Sequence, residues 1–166
     1  FHGTLRPYQL RGLSWLAFLE RMGLSMCLAD DMGLGKTVQL IALLCAELDT
    51  AKLLREVSKP HLIVAPTSVL NNWISELARF APDIRVKLFH GAERVRSASL
   101  FSDCDVVVTS YALLLRDQAL FKAQPFGVLA FDEAQQIKNS DSLTYQAAHA
   151  LSAELKLVVT GTPVEN

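Results

Sequence analysis

Two short segments of the chain contain the residue types that bind and cleave a nucleoside triphosphate. The first, residues 29–37 (ADDMGLGKT), lies between an apolar strand pattern and an apolar helix pattern. A glycine-containing turn that ends at a helix start directs backbone N–H groups and the positive end of the helix dipole toward phosphate. We expect Lys36 to reach the β- and γ-phosphates and the Thr37 hydroxyl to ligate Mg²⁺. The predicted nucleotide-binding residues of this loop are Asp30, Met32, Gly33, Leu34, Gly35, Lys36 and Thr37.

The second segment is a pair of carboxylates, Asp132 and Glu133, directly after the apolar residues 128–131 (VLAF). This arrangement predicts that Asp132 ligates Mg²⁺ and that Glu133 orients or deprotonates water. The predicted catalytic residues are therefore Lys36, Asp132 and Glu133. The alternative is an ordinary turn at residues 33–35 and a helix N-cap at residues 132–133, and the combination of loop and carboxylates argues against it.

The composition of the 166 residues is that of one folded soluble domain, because 51% are hydrophobic and 20% are charged. The net charge of −1 gives no general argument for a polyanionic partner, so any contact with DNA must come from specific positions. No apolar run has the length of a membrane span, and no signal peptide is recognisable.

The cysteines and histidines show no metal-ligand spacing. Cys27, Cys45 and Cys104 are far apart in apolar segments, which predicts buried free thiols in a reducing compartment. We interpret all four histidines as structural or surface residues.

Apolar strand patterns alternate with helix patterns along most of the chain, which predicts an α/β fold with a mainly parallel sheet and helices on both faces. The predicted strands are 25–29, 61–65, 85–89, 105–109, 127–131 and 155–160. The predicted helices are 7–21, 36–48, 69–80 (with Ser68 as N-cap), 92–100, 111–115 and 143–151, and residues 50–59 are predicted to be an exposed linker. Because ligands of open α/β sheets bind at the carboxyl ends of the strands, one active edge is expected.

Six segments in this order resemble the Swi/Snf-type ATPases of helicase superfamily two. They are LRPYQLRGLSWL (5–16), LADDMGLGKT (28–37), LIVAPTSVLNNW (62–73), VVVTSY (106–111), DEAQQIKN (132–139) and LVVTGTPVEN (157–166). The resemblance covers essentially the whole chain and implies the N-terminal RecA-like lobe of that motor. The loop pattern that begins with Asp30 is the family's own form. Gln135 stands where most members carry His, and the Gln form resembles some bacterial and archaeal members.

The resemblance assigns Gln9 to the adenine edge, where a side-chain amide can donate and accept at once. A solvated helix residue is the alternative for Gln9. The resemblance also implies that four residues couple hydrolysis to movement of the lobes, with a simple strand-end turn as the alternative. The implied coupling residues are Gln135, Thr160, Gly161 and Thr162.

The resemblance further implies two segments that contact phosphates of one DNA strand. The implied DNA contacts are Pro66, Thr67, Asn71, Ser110 and Tyr111. The groups available there suit phosphate contact without sequence readout. A capping role for Ser68 and a core ring for Tyr111 are the alternatives. Lys138 and Asn139 are a further possible contact or a solvated loop, and Trp73 is interpreted as core.

The function implied by the resemblance is a DNA-dependent ATPase that uses ATP and Mg²⁺ to translocate along double-stranded DNA and remodel protein–DNA complexes. Residues 1–166 would be the ATP-binding lobe of a longer chain, and a second RecA-like lobe would supply arginine fingers. The lone lobe is expected to be nearly inactive. No membrane partner is expected, and the protein that is remodelled is not identified. The expected location is the bacterial or archaeal cytoplasm, or the nucleus of a eukaryote.

Three other functions share some of these features. A strand-separating helicase of superfamily two has the same loop and carboxylates, but Asp30 and the endings IKN and TGTPVEN favour the remodeller. A non-catalytic scaffold lobe would be expected to have lost at least one catalytic residue, and none is lost. A metabolic P-loop kinase needs an acceptor-binding lid, for which there is no candidate segment.

Overall fold

A six-stranded parallel sheet forms the centre of the computed structural model, which describes residues 1–21, 26–29, 35–92, 97–137, 139 and 142–161. The strands are β1 (Met26–Ala29), β2 (His61–Ala65), β3 (Val86–Phe89), β4 (Val106–Ser110), β5 (Phe126–Asp132) and β6 (Ala153–Thr160). Their order in the sheet is β1-β6-β5-β2-β4-β3, and every neighbouring pair is parallel. The predicted α/β fold with a parallel sheet is confirmed.

Helices cover both faces of the sheet. They are α1 (Pro7–Arg21), α2 (Lys36–Leu54), α3 (Leu70–Phe80), α4 (Tyr111–Arg116), α5 (Gln118–Lys122) and α6 (Leu143–His149). Successive side chains of a strand point to opposite faces, and β2 shows this alternation. Ile63 belongs to the core formed with α1, α2 and α3, whereas Leu62 and Val64 belong to the core formed with α4, α5 and α6.

Helix α1 lies close against α2 because Gly12 has no side chain. A Cβ atom built on Gly12 would lie 2.2 Å from Oε1 of Gln39, a buried residue of α2. A residue other than glycine would therefore require the Gln39 side-chain amide to move. The contact fixes α1, and with it Gln9, over the start of α2.

The largest error of the sequence-based prediction is at the end of α2. The helix continues to Leu54, so the first half of the predicted linker 50–59 is helical. No glycine or proline interrupts the segment before Pro60, and the helix ends at Arg55, which adopts the left-handed conformation with φ 57°.

Two smaller elements also differ from the prediction. Ser68 is not the N-cap of α3, because residues 67–69 form a 3₁₀ turn and α3 begins at Leu70. The described part of the predicted helix 92–100 is a 3₁₀ turn at Ala98–Leu100, and residues 93–96 lie outside the described part of the chain.

The thiols of Cys45 and Cys104 are buried and free, as predicted, but Cys27 is exposed. The prediction of a buried Cys27 is wrong because β1 is an edge strand, with β6 as its neighbour on one side. Among the helices of the described residues, none combines the length and the apolar character needed to cross a bilayer.

Candidate active site

The carboxyl ends of β1, β5 and β6 bring the predicted nucleotide residues together. Ala29, the last residue of β1, pairs with Thr160 of β6, and Asp132 of β5 pairs with Val159 of β6. Because all three strands run in the same direction, the loop that follows Ala29 starts beside Asp132 and Thr160. The sheet topology therefore produces the single active edge that the sequence predicts.

The start of α2 is suited to bind an anion. Gly35 occupies the N-cap position in the left-handed conformation, with φ 79°, and its carbonyl accepts the first helical hydrogen bond, from the Gln39 N–H at 3.1 Å. Glycine has no side chain with which to cap the first-turn N–H groups, and a phosphate is a strong acceptor for such groups. Lys36 and Thr37 follow within this first turn.

An open cleft of about 300 Å³ contains the predicted loop end and the carboxylates. Its lining residues are Gly35, Lys36, Thr37, Val38, Val69, Asn72, Trp73, Glu76, Asp132 and Glu133. The cleft thus brings together the ammonium of Lys36 and the hydroxyl of Thr37 with the carboxylates of Asp132 and Glu133, from two distant parts of the chain. These are the groups that triphosphate binding and hydrolysis require.

Three donors fix the position of Asp132. Its Oδ2 accepts a 2.8 Å hydrogen bond from the indole Nε1 of Trp73, and its Oδ1 accepts a 3.0 Å bond from the backbone N–H of Glu133. The Tyr111 hydroxyl donates a 2.7 Å hydrogen bond to the backbone carbonyl of Asp132. Burial raises the pKa of the Asp132 carboxyl, and the hydrogen bond from Trp73 opposes that rise.

Glu133 has an unusual backbone conformation, with φ 50° in the left-handed region. Residues with a side chain rarely adopt this region, and such conformations concentrate at functional sites. The turn ends β5 abruptly and leaves Glu133 in the cleft next to Asp132.

The donors in the cleft fit a magnesium ion. Mg²⁺ is usually held by one or two carboxylates together with substrate phosphates and water, and a Thr hydroxyl is a common additional ligand. Asp132 and Thr37 supply these oxygens in the same cleft as Lys36. Over the described residues, no cluster of three or more His, Cys, Asp or Glu side chains could hold a metal ion by itself. Asp132 and Thr37 would therefore hold Mg²⁺ together with oxygens of a bound nucleotide.

Gln135 connects Glu133 to the end of β6. Its Nε2 donates to the Glu133 carboxylate, and its Oε1 accepts a 3.1 Å hydrogen bond from the Thr160 hydroxyl. Thr160 is buried whereas Gln135 is exposed. The Gln135 side chain thus spans the gap between the carboxylates and the predicted coupling segment.

Gln9 lies against Gly35 at the start of α2 and is not a solvated helix residue. It is only 7% exposed, and its Oε1 accepts a 2.8 Å hydrogen bond from the Arg6 backbone N–H. A Cβ atom built on Gly35 would lie 2.3 Å from the Gln9 Nε2. The alternative interpretation of Gln9 is therefore wrong, and its amide borders the start of α2.

The two predicted DNA segments differ in accessibility. Thr67, in the 3₁₀ turn before α3, and Asn71, in the first turn of α3, are exposed, and Pro66 is half-buried. Ser110 and Tyr111 are buried.

Ser110 caps α4, where its side chain accepts from the Leu113 N–H at 3.4 Å. The Tyr111 ring stacks on Phe131 with 6.4 Å between ring centroids, and burial raises the pKa of its hydroxyl. Tyr111 therefore has the buried core ring that was the alternative to a DNA contact.

Comparison with known proteins identifies the family. The model of the SNF2-related domain matches residues 8–166. The chain belongs to the SNF2-related domain family. It is similar to the core of the Sulfolobus solfataricus SWI2/SNF2 ATPase in complex with dsDNA, with a TM-score of 0.87 and 40% identity over 99% of this chain and 33% of that one.

Two curated relatives of the same family are much longer than this chain. The putative ATP-dependent helicase/translocase YwqA of Bacillus subtilis is 43% identical over 100% of this chain and 18% of its own length. The SWI/SNF-related matrix-associated actin-dependent regulator of chromatin subfamily A member 1 of Mus musculus is 40% identical over 99% of this chain and 16% of its own length. The chain thus spans less than a fifth of either relative.

Some predicted residues of this SNF2-family chain lie outside the described part of the structure. They are Asp30, Met32, Gly33, Leu34, Lys138 and Thr162. Gly161 directly follows the buried Thr160 and is half-buried, and Asn139 is exposed.

Three residues of α3 line the cleft and were not predicted from the sequence as part of the nucleotide site: Asn72, Trp73 and Glu76. Trp73 is core, as predicted, but its N–H also reaches Asp132. In the sequence, its apolar neighbours at helical spacing indicated only packing.

Proposed function

We propose that this chain is the ATP-binding lobe of a DNA-dependent ATPase that translocates along double-stranded DNA and remodels protein–DNA complexes. The observation that carries the proposal is that Lys36, Thr37, Asp132 and Glu133 share one cleft at the carboxyl edge of the sheet. Membership of the SNF2-related domain family, whose relatives include an ATP-dependent helicase/translocase, supports ATP as the nucleotide.

The four predicted residues of the cleft each have a chemical task in hydrolysis. Lys36 and the first-turn N–H groups of α2 bind the phosphates, and Thr37 and Asp132 would hold Mg²⁺. A bound Mg²⁺ neutralises charge on the β- and γ-phosphate oxygens. Glu133 orients a water molecule in line with the γ-phosphate and takes up its proton. Gln9 binds the adenine edge.

The coupling role falls to the hydrogen-bonded path from Glu133 through Gln135 to Thr160. A change in the Glu133 contacts after hydrolysis would alter the bonds of Gln135 and so the end of β6. Gly161 and Thr162 follow directly. We propose that this segment passes the state of the nucleotide to a second RecA-like lobe.

The proposed DNA contacts are with the phosphate backbone. Thr67 and Asn71 are exposed in the 3₁₀ turn and the first turn of α3, where hydroxyl, amide and backbone N–H groups suit phosphate without reading bases. The similar Sulfolobus core is named as a complex with dsDNA, which supports duplex DNA as the partner. Pro66, Ser110 and Tyr111 shape the two segments, since their burial suits a supporting role.

Binding of a fluorescent ATP analogue with and without Mg²⁺ tests the nucleotide site. We expect Lys36→Ala to weaken binding at least tenfold, because it removes the cation that pairs with the phosphates. Lys122→Ala is the matched control, since Lys122 is an exposed lysine in α5 that bonds to Gln118. Equal affinity of the wild type and Lys36→Ala would refute the assignment of the loop.

A phosphate-release assay on the full-length protein tests the reaction. We expect hydrolysis to be stimulated by duplex DNA, and Glu133→Gln to abolish it while ATP remains bound. Glu154→Gln is the control, because Glu154 is exposed and pairs with Lys59 away from the cleft. Stimulation by single-stranded DNA alone, with separation of strands, would point to a helicase instead.

A further inference from the structure

Trp73 joins α3, which contains the proposed DNA contact Asn71, to Asp132, the predicted ligand of Mg²⁺. Its side chain is 1% exposed, and its Nε1 donates the 2.8 Å hydrogen bond to Oδ2 of Asp132 across 59 positions of sequence. Trp73 lies two residues after the exposed Asn71 in the first turn of α3. A displacement of α3 on DNA would therefore act on Asp132 through one side-chain bond.

The second DNA segment reaches the same residue. Tyr111, at the start of α4, donates its hydroxyl proton to the backbone carbonyl of Asp132 at 2.7 Å, and its ring packs on Phe131. The two proposed DNA segments are thus bonded to one residue, Trp73 to its carboxylate and Tyr111 to its backbone.

We infer that Trp73 and Tyr111 are positioning residues that hold Asp132 in the geometry for Mg²⁺ and couple DNA contact to that geometry. The inference rests on the proposed function. The bond from Trp73 to Oδ2 and the bond from the Glu133 N–H to Oδ1 together fix the orientation of the carboxylate that would hold Mg²⁺. Donors of this kind to a metal ligand tune its affinity for the metal.

The Mg²⁺ dependence of nucleotide binding to the full-length protein tests the inference. The measurement is the Mg²⁺ concentration for half-maximal binding of a fluorescent ADP analogue, with and without duplex DNA. Trp73→Phe keeps an aromatic ring and removes the N–H, and we expect it to raise that concentration roughly tenfold. We expect Tyr111→Phe, which keeps the ring and removes the hydroxyl, to raise it less.

The coupling has its own readout. In the wild type, saturating duplex DNA is expected to lower the half-maximal Mg²⁺ concentration, because DNA contact would hold Asp132 in the geometry for Mg²⁺. Such coupling between two binding sites is reciprocal. In Trp73→Phe this shift is expected to be lost. Nucleotide affinity in EDTA is expected to stay at the wild-type value, which also reports that the variant is folded. If Trp73→Phe does not fold, Tyr111→Phe decides by the same two readouts.

Trp15→Phe and Tyr145→Phe are the matched controls. Trp15 is 60% exposed and stacks on Phe18, and Tyr145 stacks on His149 in α6. Wild-type values for Trp73→Phe in both readouts would overturn the inference and leave the proposed function intact. A wild type whose nucleotide binding ignores Mg²⁺ would instead refute the proposed function, and the inference with it.

Discussion

His61 shows how one buried ring can join two strands. It is 3% exposed at the start of β2, and its Nδ1 accepts a 2.9 Å hydrogen bond from the backbone N–H of Val128 in β5. An accepting Nδ1 requires the neutral ring with its proton on Nε2. Burial lowers the pKa of His61 to about 4, whereas an ordinary histidine has a pKa of 6.5.

This pKa predicts a loss of stability in mild acid. Above pH 6.5 the ring is neutral in both the folded and the unfolded chain, so its full contribution is present. As the pH falls from 6.5 toward 4, the unfolded chain binds the proton first, and folding loses about 2 kcal/mol between pH 7 and pH 5.

Urea unfolding of the wild type and of His61→Asn at both pH values measures the effect. The Asn Oδ1 can accept from Val128, and Asn does not titrate, so we expect the variant to lose about 2 kcal/mol less than the wild type. His90→Asn is the control, because His90 is exposed. A wild-type loss matched by His61→Asn would contradict the prediction.

The residues proposed to act on the nucleotide could be selected from the sequence where their order along the chain is itself the signal, and the structure places them in one cleft. Lys36 and Thr37 directly follow a glycine at a helix start, and Asp132 and Glu133 directly end an apolar strand. Trp73 could not be assigned in this way, because its bond to Asp132 exists only after two distant elements have packed.

Helix α2 ends with strain that a glycine would remove. Arg55 has φ 57° at the C-cap, and its backbone N–H bonds to the carbonyls of Ala51 and Lys52. A side chain in the left-handed region costs roughly 1–2 kcal/mol, and glycine avoids this cost while keeping the N–H.

We therefore expect Arg55→Gly to raise the free energy of unfolding by about 1 kcal/mol. Ala46→Gly is the control, and it is expected to lower the free energy of unfolding. Ala46 is exposed in the middle of the same helix, where glycine costs about 0.5–1 kcal/mol. Urea unfolding of both variants gives the two values. A decrease for Arg55→Gly would mean that the helix does not end at this residue.

The elements themselves were predictable because strands and helices have different apolar periods. The valine-rich β4 is buried at every position, as its uninterrupted apolar run indicates. The sequence contains no equivalent signal for strand order. That order depends on which helix crosses which face, and it decides that β1 is an edge and that Cys27 is exposed.

At the scale of the molecule, turnover is expected to require a second lobe. A positioned arginine finger contributes on the order of 10³–10⁵ in rate to this chemistry. Among the described residues, the cleft has Lys36 as its cation and no arginine in its lining. We expect residues 1–166 alone to show near-background ATPase with little stimulation by duplex DNA.

The same phosphate-release assay on residues 1–166 and on the full-length protein measures the difference. A band-shift series at low salt is expected to give weak retention of DNA by the lone chain, without sequence preference, because its net charge is −1. Brisk DNA-stimulated hydrolysis by residues 1–166 would mean that one lobe is sufficient.

The position of β1 has a consequence for the order in which the parts of the chain fold during synthesis. β1 is held in the sheet by β6, so Met26 cannot pair until Leu157, which lies much later in the chain, has left the ribosome. Contacts between distant parts of a chain form late, because the loop between them must first close. The strand that leads into the phosphate loop is then the last to be secured. A nucleotide that binds only after β1 has paired with β6 would stabilise this pairing by mass action. ATP in the cell would thus favour the folded state, in addition to its proposed role as the nucleotide that is hydrolysed.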